Sequence, residues 1–406
     1  MKTLWIVSGG VEAVPGIIRA KEMGLHVVVS DKNPEAPGFQ YADNAIIAST
    51  YDAQETTDAA VKFHETIRPI DGVISIASDV PMTIASMADR LGLPGISEET
   101  AALASDKHLM KRFLNDRMIP VPWFSLINSF DELADIVNKR GFPLVIKPVD
   151  SRGARGVLRL NEGIDLMWAY NLAKNNSPSK KVIIEEFVDG PQISTEAVTI
   201  DGVGYTLGFS DRNYEFIDRF SPYFIENGGS QPSYLNVEDR KAVSELAIKT
   251  GKLLGVTDGI IKGDMVLSKE GPKVIEIAPR LSGGWFSTDQ IPLHTGVDLI
   301  GAAIKIALGE KVDPDLITPK LERAVAIRYF FPPAGNILEV PNVDELERMP
   351  GVYKVLIFVK KGEKIEPVTD HTKRVGCVIS CGDSRENAIK MARDVVKKAE
   401  NGFIIN

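Results

Sequence analysis

Short apolar runs alternate with longer amphipathic stretches along the first hundred residues. The apolar runs predict buried strands at residues 4–8, 26–30 and 72–77, and the intervening stretches predict helices at residues 11–24 and 52–67. Strands separated by helices imply a parallel sheet with short right-handed crossovers. The first hundred residues are therefore predicted to form a Rossmann-like domain.

The carboxyl ends of these strands carry the first candidate ligand groups, which are Ser8-Gly9-Gly10, Asp31 and Asp79. Ligands of open α/β sheets bind at this edge. The glycines near residues 9–14 lack the full G-x-G-x-x-G spacing, so the pattern favours a tight turn over a dinucleotide site. Two roles remain open for Asp31, which could contact a ribose or cap that turn.

The pattern after residue 100 mixes strands and helices. Strands are predicted at residues 144–148 and 157–160, with a glycine-rich turn at residues 150–156 between them. A β-rich stretch follows at residues 182–209 and a long helix at residues 238–255. A β-hairpin is predicted at residues 259–279. The tail from residue 321 is predicted to be α+β, with strands at 324–331, 353–359 and 374–380 and a closing helix at 384–399.

The predicted hairpin carries the most informative charge pattern. If residues 268–272 form its loop, Asp264 lies directly opposite Glu276. The hairpin then has a polar face of Lys262, Asp264, Val266, Val274, Glu276 and Ala278 and an apolar face of Ile261, Met265, Leu267, Ile275 and Ile277. Opposed carboxylates repel unless a cation lies between them, and hard oxygen ligands suit Mg²⁺. The alternative is a solvated face neutralised by Lys262.

Positively charged groups upstream of the hairpin are suited to a polyphosphate. Lys147 ends a buried strand, and the loop Ser151–Gly156 can direct backbone N–H groups at phosphate oxygens. Lys107 lies in the first turn of a predicted helix, where the helix dipole favours anions. Each lysine alone is more typical of a surface; their order before a carboxylate hairpin indicates a nucleotide site.

Composition narrows the class of protein. With 406 residues, 44% of them hydrophobic and 25% charged, the chain is predicted to form two to four globular domains. The net charge of −8 and the lack of a basic block argue against nucleic acid as a partner, and no apolar run is long enough for a membrane helix. Two cysteines, Cys377 and Cys381, fit structural thiols in a reducing cytoplasm.

Five ordered motifs resemble the ATP-grasp superfamily, and the resemblance spans almost the whole chain. The motifs are Ala104–Lys107, Val145–Pro148 with Ser151–Val157, Ile184–Gly190, Gly263–Met265 and Val274–Arg280. The tail with residues 370–376 is similar to the C-terminal subdomain of glycinamide ribonucleotide transformylases, biotin carboxylases and L-amino-acid ligases. The resemblance implies a Rossmann-like pre-ATP-grasp domain (1–100), a lid subdomain (101–190), a large subdomain with the metal hairpin (191–320) and a C-terminal α+β subdomain (321–406).

The resemblance also implies how a nucleotide is held. Lys107 and Lys147 would hold phosphates, and Ser151, Gly153 and Gly156 would belong to a lid loop over them. Glu185 would receive the adenine amino group, and the backbone of Glu186, Phe187 and Val188 would complete the adenine hinge. The residue that contacts the ribose is usually a carboxylate; here it is Gln192, whose amide can still hydrogen-bond both hydroxyls.

Metal and substrate contacts follow from the same resemblance. Asp264 and Glu276 would coordinate Mg²⁺, with Mn²⁺ as a substitute, and Arg280 would join Lys147 as a catalytic residue on the transferred phosphoryl group. The family frequently has Asn two residues after the glutamate, where this chain has Ala278, so a second metal ion would have fewer ligands. The implied substrate residues are Asp79, Glu226, Ser282 and Gly283.

The implied activity is that of an ATP-dependent carboxylate–amine ligase. A substrate carboxylate would attack ATP to form an acylphosphate, and an amine would displace phosphate. The segments 225–233 and 279–284 most resemble those of amino-acid and peptide ligases. Two alternatives remain, a purine-pathway enzyme whose phosphoribosyl substrate binds the Ser8–Gly10 turn, and a nucleotide sensor without turnover. A cytoplasmic homodimer acting on small molecules is expected.

Overall fold

The computed structural model describes all 406 residues and begins with a four-stranded parallel sheet. Its elements are β1 (Thr3–Val7), α1 (Val14–Glu22), β2 (His26–Asp31), β3 (Asn44–Ile47), α2 (Ala53–Thr66), β4 (Gly72–Ser75) and α3 (Pro81–Leu91). The order is β3-β2-β1-β4, with every pairing parallel. Leu4 and Ile6 enter one core while Trp5 and Val7 enter another, which explains the continuous apolar run of β1. The predicted Rossmann-like fold is confirmed.

Two linker helices lead into a second, antiparallel sheet of order β5-β8-β6-β7. The elements are α4 (Glu98–Ser105), α5 (Lys107–Asn115), β5 (Phe124–Ile127), α6 (Phe130–Arg140), β6 (Leu144–Pro148), β7 (Leu158–Leu160), α7 (Leu166–Asn175) and β8 (Val182–Glu186). The helix α7 was not predicted; it begins at an Asp165 cap, whose carboxylate accepts from the Trp168 N–H. Its buried residues Ala169 and Ala173 join the core of this sheet.

The rest of the chain is built around one eight-stranded sheet. Its first part has β9 (Gln192–Ile200), β10 (Val203–Asn213), β11 (Gly228–Gln231), α8 (Val237–Leu253), β12 (Gly259–Ser268), β13 (Gly271–Ala278), α9 (Ile291–Thr295), α10 (Leu299–Ala307) and α11 (Pro314–Ile317). The tail adds β14 (Ala324–Tyr329), β15 (Gly335–Glu339), α12 (Val343–Glu347), β16 (Val352–Ile357), β17 (Lys364–Ile365), β18 (Gly376–Gly382), α13 (Arg385–Gly402) and β19 (Ile404–Ile405). The order β13-β12-β9-β10-β11-β14-β18-β16 shows that tail strands continue the sheet. The predicted domain boundaries stay predictions.

The register of the β12–β13 hairpin places Asp264 opposite Glu276, as predicted, although the turn and the pairing beyond it differ from the prediction. The turn is tighter than expected, since Ser268 pairs with Gly271, and a bulge follows between Asp264 and Met265. Because of this extra residue in β13, the side chains of Val274 and Ile275 lie on the faces opposite to those predicted. Val274 is in the apolar core, whereas Ile275 lines the cavity described below, so the predicted faces of these two residues were wrong.

The Rossmann-like domain packs against the large sheet through a shared apolar core. Leu299 and Ile304 of α10 belong to the same cluster as Leu4 of β1. Ile76, just after β4, forms a backbone bridge with Leu281, which follows β13. The carboxyl edge of the first sheet is therefore held beside the end of the hairpin. None of the helices is both long enough and apolar enough to cross a membrane.

Candidate active site

One cavity of about 1330 Å³ lies between the parallel sheet, the β5-β8-β6-β7 sheet and the eight-stranded sheet. It exceeds the roughly 300–1,000 Å³ of ordinary ligand pockets, so a nucleotide and a second molecule both fit. Every predicted site residue lines it except Gly156. That glycine has φ +72° and its absent Cβ would lie 2.7 Å from the Asn176 Cβ, so it serves the turn behind the lid loop.

The two carboxylates of the hairpin each contact their own cations. Arg212 Nη1 is 3.0 Å from Asp264 Oδ1, and Lys262 also pairs with Asp264. Lys107 Nζ is 3.1 Å from Glu276 Oε1. Burial alone would raise the pKa of Asp264, but Arg212 and Lys262 outweigh it and hold that pKa well below its usual range. Asp264 is thus ionised at neutral pH, and two hard carboxylates facing one cavity fit Mg²⁺ bound together with phosphate oxygens.

Three lysines converge beside this hairpin. Lys107 is the first residue of α5, where Asp106 caps the helix, and its ammonium also donates to the Ser151 carbonyl at 2.9 Å. Lys147 Nζ is 2.8 Å from Glu185 Oε1, and Lys111 Nζ is 3.3 Å from the same oxygen.

Lys111 was not predicted, although it lies four residues after Lys107 on the same helix face. Burial lowers the pKa of Lys111 to about 8 despite the attraction of Glu185. In the structure Glu185 therefore holds the two lysines in place; its predicted adenine contact stays a prediction.

The lid loop is tied to two other parts of the molecule. Arg152 Nε contacts Asp79 Oδ2 at 3.1 Å, and the His371 N–H donates to the Gly153 carbonyl at 3.0 Å. Gly153 and Ala154 both have left-handed backbone, with φ of +64° and +61°. The loop thus lies closed over the lysines, held by the Rossmann-like domain on one side and by the tail on the other.

The region predicted to bind adenine is framed by aromatic rings. Phe187 stacks with Phe224 at 6.1 Å between centroids, and the Arg159 guanidinium lies 4.4 Å from the Phe187 ring centre. Gln192 begins β9 and pairs with Val266, which places it next to the hairpin. We call this region, with Lys107, Lys147, Glu185, Asp264 and Glu276, the nucleotide half of the cavity.

The opposite end of the cavity is shaped by the loop after Arg280. Arg280 Nε is 3.5 Å from Asp79 Oδ1, so the arginine and the predicted substrate residue Asp79 contact each other. The N–H of Ser282 donates to the buried carboxyl of Glu196 at 3.0 Å. The N–H of Gly284 donates to Glu12 at 2.7 Å. These two anchors fix the course of the loop, including Gly283.

Residues from the tail complete this end. Trp285, in left-handed backbone at φ +54°, stacks on Phe358 with centroids 5.5 Å apart, and Tyr329 lies alongside in the same apolar cluster as Trp285. The Arg374 guanidinium carbon is 3.8 Å from the Tyr329 ring centre. We call this region the substrate half, with members Glu12, Glu226, Arg280, Ser282, Gly283, Gly284, Trp285, Tyr329, Phe358 and Arg374.

Glu226 is held on three sides. Its carboxylate accepts from Arg212 at 2.6 Å and its carbonyl accepts from Arg374 at 2.5 Å. Its N–H donates to His371 Nε2 at 3.3 Å. Burial, with Arg374 and Arg212 nearby, lowers the pKa of His371 well below its usual value, so the neutral ring can accept this bond. Arg212, Arg374 and His371 were given no role from the sequence, because no local motif relates them to Glu226.

The Ser8–Gly10 turn lies outside the cavity. The Gly9 N–H donates to Asp31 Oδ2 at 2.9 Å, and Asp31 Oδ1 accepts from the Asn33 N–H. Of the two roles left open for Asp31, the structure therefore supports capping of the turn.

Family comparisons match three consecutive segments. Residues 18–95 match the ATP-grasp N-terminal domain, residues 104–284 the ATP-grasp domain, and residues 328–400 the L-amino acid ligase C-terminal domain 2. Among curated relatives, the formate-dependent phosphoribosylglycinamide formyltransferase of Rhodococcus jostii is 24% identical, with 95% of this chain and 91% of that protein covered.

Solved structures share the architecture. The L-amino acid ligase from Bacillus licheniformis superimposes with a TM-score of 0.83 at 22% identity, covering 100% of this chain and 99% of that one. The biotin carboxylase domain of the Hydrogenobacter thermophilus 2-oxoglutarate carboxylase, solved with MgADP, gives 0.73 at 20% identity, with 100% and 90% covered. With its three segments matched in order around one nucleotide-sized cavity, the chain belongs to the ATP-grasp superfamily, in the branch of ADP-forming carboxylate–amine ligases that use ATP and Mg²⁺.

Proposed function

We propose that this ligase joins two amino acids, or an amino acid and its derivative, and releases ADP and phosphate. One observation carries the proposal. Tyr329, Phe358 and Arg374 line the substrate half, and all three belong to the segment that matches the L-amino acid ligase C-terminal domain 2. The part of the chain that resembles amino-acid ligases is thus the part available to contact the substrates.

The nucleotide half supplies the charge that phosphoryl transfer needs. Asp264 and Glu276 would hold Mg²⁺, which neutralises charge on the phosphate oxygens. Lys107 and Lys147 already point their ammonium groups into the cavity, where each has a carboxylate partner. On nucleotide binding they exchange these partners for phosphate oxygens. Arg280 belongs to the substrate half but follows the hairpin strand β13 by two residues, where it is suited to neutralise the transferring phosphoryl group.

The reaction proceeds without a side-chain nucleophile. A carboxylate oxygen of the first substrate forms a bond to the γ-phosphorus while the bond to ADP breaks, which yields an acylphosphate. The neutral amine of the second substrate then attacks the carbonyl carbon, phosphate leaves, and the amine proton passes to phosphate or solvent. The lid, closed by the Arg152–Asp79 contact, excludes water that would hydrolyse the acylphosphate.

Both alternatives are less well supported. A phosphoribosyl substrate on the Ser8–Gly10 turn would meet the Asp31 carboxylate that already accepts from Gly9, and like charges repel. A sensor without turnover would have no need for the hairpin carboxylates and Arg280 in one cavity. The homodimer and the cytoplasmic location stay predictions, the first open to light scattering.

ADP release tests the proposal. Amino acids are supplied singly and in pairs with MgATP, and hydroxylamine is added in place of the amine to trap the acylphosphate as a hydroxamate. We expect hydroxamate from one class of amino acid and ADP release that requires a pair. Glu276→Gln should abolish both signals, whereas Glu270→Gln, on the exposed turn of the same hairpin, should leave them intact. ADP release unaffected by amino acids, with no hydroxamate, would contradict the proposal.

A further inference from the structure

The substrate half contains a guanidinium group, that of Arg374, that forms no ion pair with a carboxylate. Arg152, Arg212 and Arg280, which line the same cavity, contact carboxylates at 3.1, 2.6 and 3.5 Å. Arg155 and Arg159 also lack a carboxylate partner, but Arg155 is exposed on the lid loop and Arg159 lies against Phe187 in the nucleotide half. Arg374 has no carboxylate oxygen within 4.0 Å, although only part of its side chain reaches solvent. A partly buried cation without a counter-ion is unfavourable, which indicates that an anion binds there.

The guanidinium of Arg374 is held rigidly. One of its nitrogens donates to the Glu226 carbonyl at 2.5 Å, and its plane lies over the Tyr329 ring, 3.8 Å from the centre. Its Nε is buried without a hydrogen-bond partner. The Glu226 carboxylate does not compete for it, because Arg212 binds that group. A fixed, planar donor with free N–H groups is matched to a carboxylate.

One of the two substrate carboxylates takes no part in the bond changes of the proposed reaction. When two amino acids are joined, the carboxylate of the first reacts next to Arg280, and the amine of the second attacks. The carboxylate of the second keeps its charge throughout and needs a partner in the cavity. Arg374 and Arg280 both line the substrate half, where Arg280 contacts Asp79 and Arg374 contacts no carboxylate. A second anion site thus lies within the same half as Arg280.

We infer that Arg374 binds the unreacted carboxylate of the amine substrate, so that this substrate is an α-amino acid and not a simple amine. The inference rests on the proposed function and extends it to the second substrate. Arg374 contacts a part of the substrate that takes no part in bond making, so it acts on specificity for the amine and leaves activation of the acid unchanged.

The test compares an amino acid with its amide as the amine substrate. We expect wild type to use the amino acid with a kcat/KM on the order of 100-fold above that of the amide, because a charge-assisted pair is lost. Arg374→Met should remove this preference by lowering kcat/KM for the amino acid far more than kcat/KM for the amide or the rate of hydroxamate formation from the acid. Arg374→Lys should restore part of the preference. Lys373→Met is the matched control, since Lys373 pairs with Glu366 on the surface.

Each outcome has a distinct meaning. The assignment would be overturned if wild type used the amide and the amino acid equally well. It would also be overturned if Arg374→Met lowered kcat/KM for both substrates equally, or if wild type markedly preferred an aminoalkyl phosphate to the amino acid. The wild-type comparison stands even where a variant fails to fold. Absence of hydroxamate with every acid would instead contradict the proposed function itself.

Discussion

The nucleotide half and the substrate half of the cavity differ in how their charges are paired. In the nucleotide half three carboxylates of the hairpin and of β8 meet cations of the protein: Glu276 pairs with Lys107, Glu185 with Lys147 and Asp264 with Arg212. In the substrate half Arg374 has no such partner. Carboxylates and cations of the protein thus neutralise one another around the positions predicted for the metal ion and the phosphates, where the exception, Arg159, lies against the Phe187 ring. In the substrate half Arg374 is left open to a charged substrate.

This difference has a physical consequence for binding. Paired groups keep the nucleotide half folded in the absence of ligand, and binding exchanges one set of partners for another. An unpaired guanidinium offers net attraction without such an exchange, so it discriminates between substrates that carry an anion and those that do not. The nucleotide half should therefore control whether the reaction occurs, and the substrate half which molecules react.

The largest expected effect is that of Asp264→Asn. The change removes a metal ligand and leaves Arg212 and Lys262 next to a neutral amide. ADP formation should fall by about 10³-fold or more. Because the change also breaks buried ion pairs, thermal unfolding should shift to a lower temperature, and the assay is run below it. Asp218→Asn, on the rim of the same cavity, is the control. A fall of less than tenfold would show that Asp264 is not required for phosphoryl transfer.

Lys147→Met should act on both stability and activity. It leaves the buried carboxylate of Glu185 with Lys111 as its remaining partner, and breaking a buried ion pair destabilises by about 3 kcal/mol. Urea unfolding should show this loss, and ADP formation should fall about 100-fold. The exposed Lys139→Met, on α6, should change neither. Unchanged stability would mean that the Lys147–Glu185 pair contributes nothing to the fold.

Gly284→Ala sharpens the comparison because it disturbs the substrate half alone. Gly284 has φ +64°, and an added Cβ would lie 2.9 Å from the Tyr329 hydroxyl. Gly92, at φ +65° with nothing nearby, provides a control with the same backbone strain of about 1 kcal/mol. Both variants should lose at least this much stability, and Gly284→Ala somewhat more because of the Tyr329 contact, yet only Gly284→Ala should lower kcat/KM for the amine, by about tenfold. Equal kinetics in the two variants would contradict the assigned position of the loop.

The last prediction concerns stability alone, through its dependence on pH. Burial lowers the pKa of Lys111 to about 8 in the folded protein from an ordinary value of 10.5. Between these values the unfolded chain binds more protons, so stability rises with pH. The free energy of unfolding of wild type relative to Lys111→Met should therefore increase from pH 8 to 10.5, by up to about 1.4 kcal/mol per pH unit. A difference that is flat or falls with pH would show that Lys111 is not desolvated.

The nucleotide half could be predicted from sequence, because its residues lie in short motifs whose order along the chain follows the fold. The opposed Asp264 and Glu276 are a direct example. The bulge that exchanges the faces of Val274 and Ile275 was not predictable, since alternation does not reveal an extra residue in one strand. The substrate half combines Glu12, Glu226 and Arg374 from distant segments, and no local pattern relates these residues.

Transfer of a carboxylate oxygen to phosphate tests the central claim most directly. The amino acid that gives a hydroxamate is labelled with ¹⁸O in both carboxylate oxygens and supplied with MgATP and the amine. If the carboxylate attacks the γ-phosphorus, one labelled oxygen links carbon to phosphorus in the acylphosphate. When the amine attacks the carbonyl carbon, the bond between carbon and this oxygen breaks, and the oxygen leaves as part of the phosphate. Mass spectrometry should then find one ¹⁸O in each inorganic phosphate released. Unlabelled phosphate accompanied by amide formation would contradict the account.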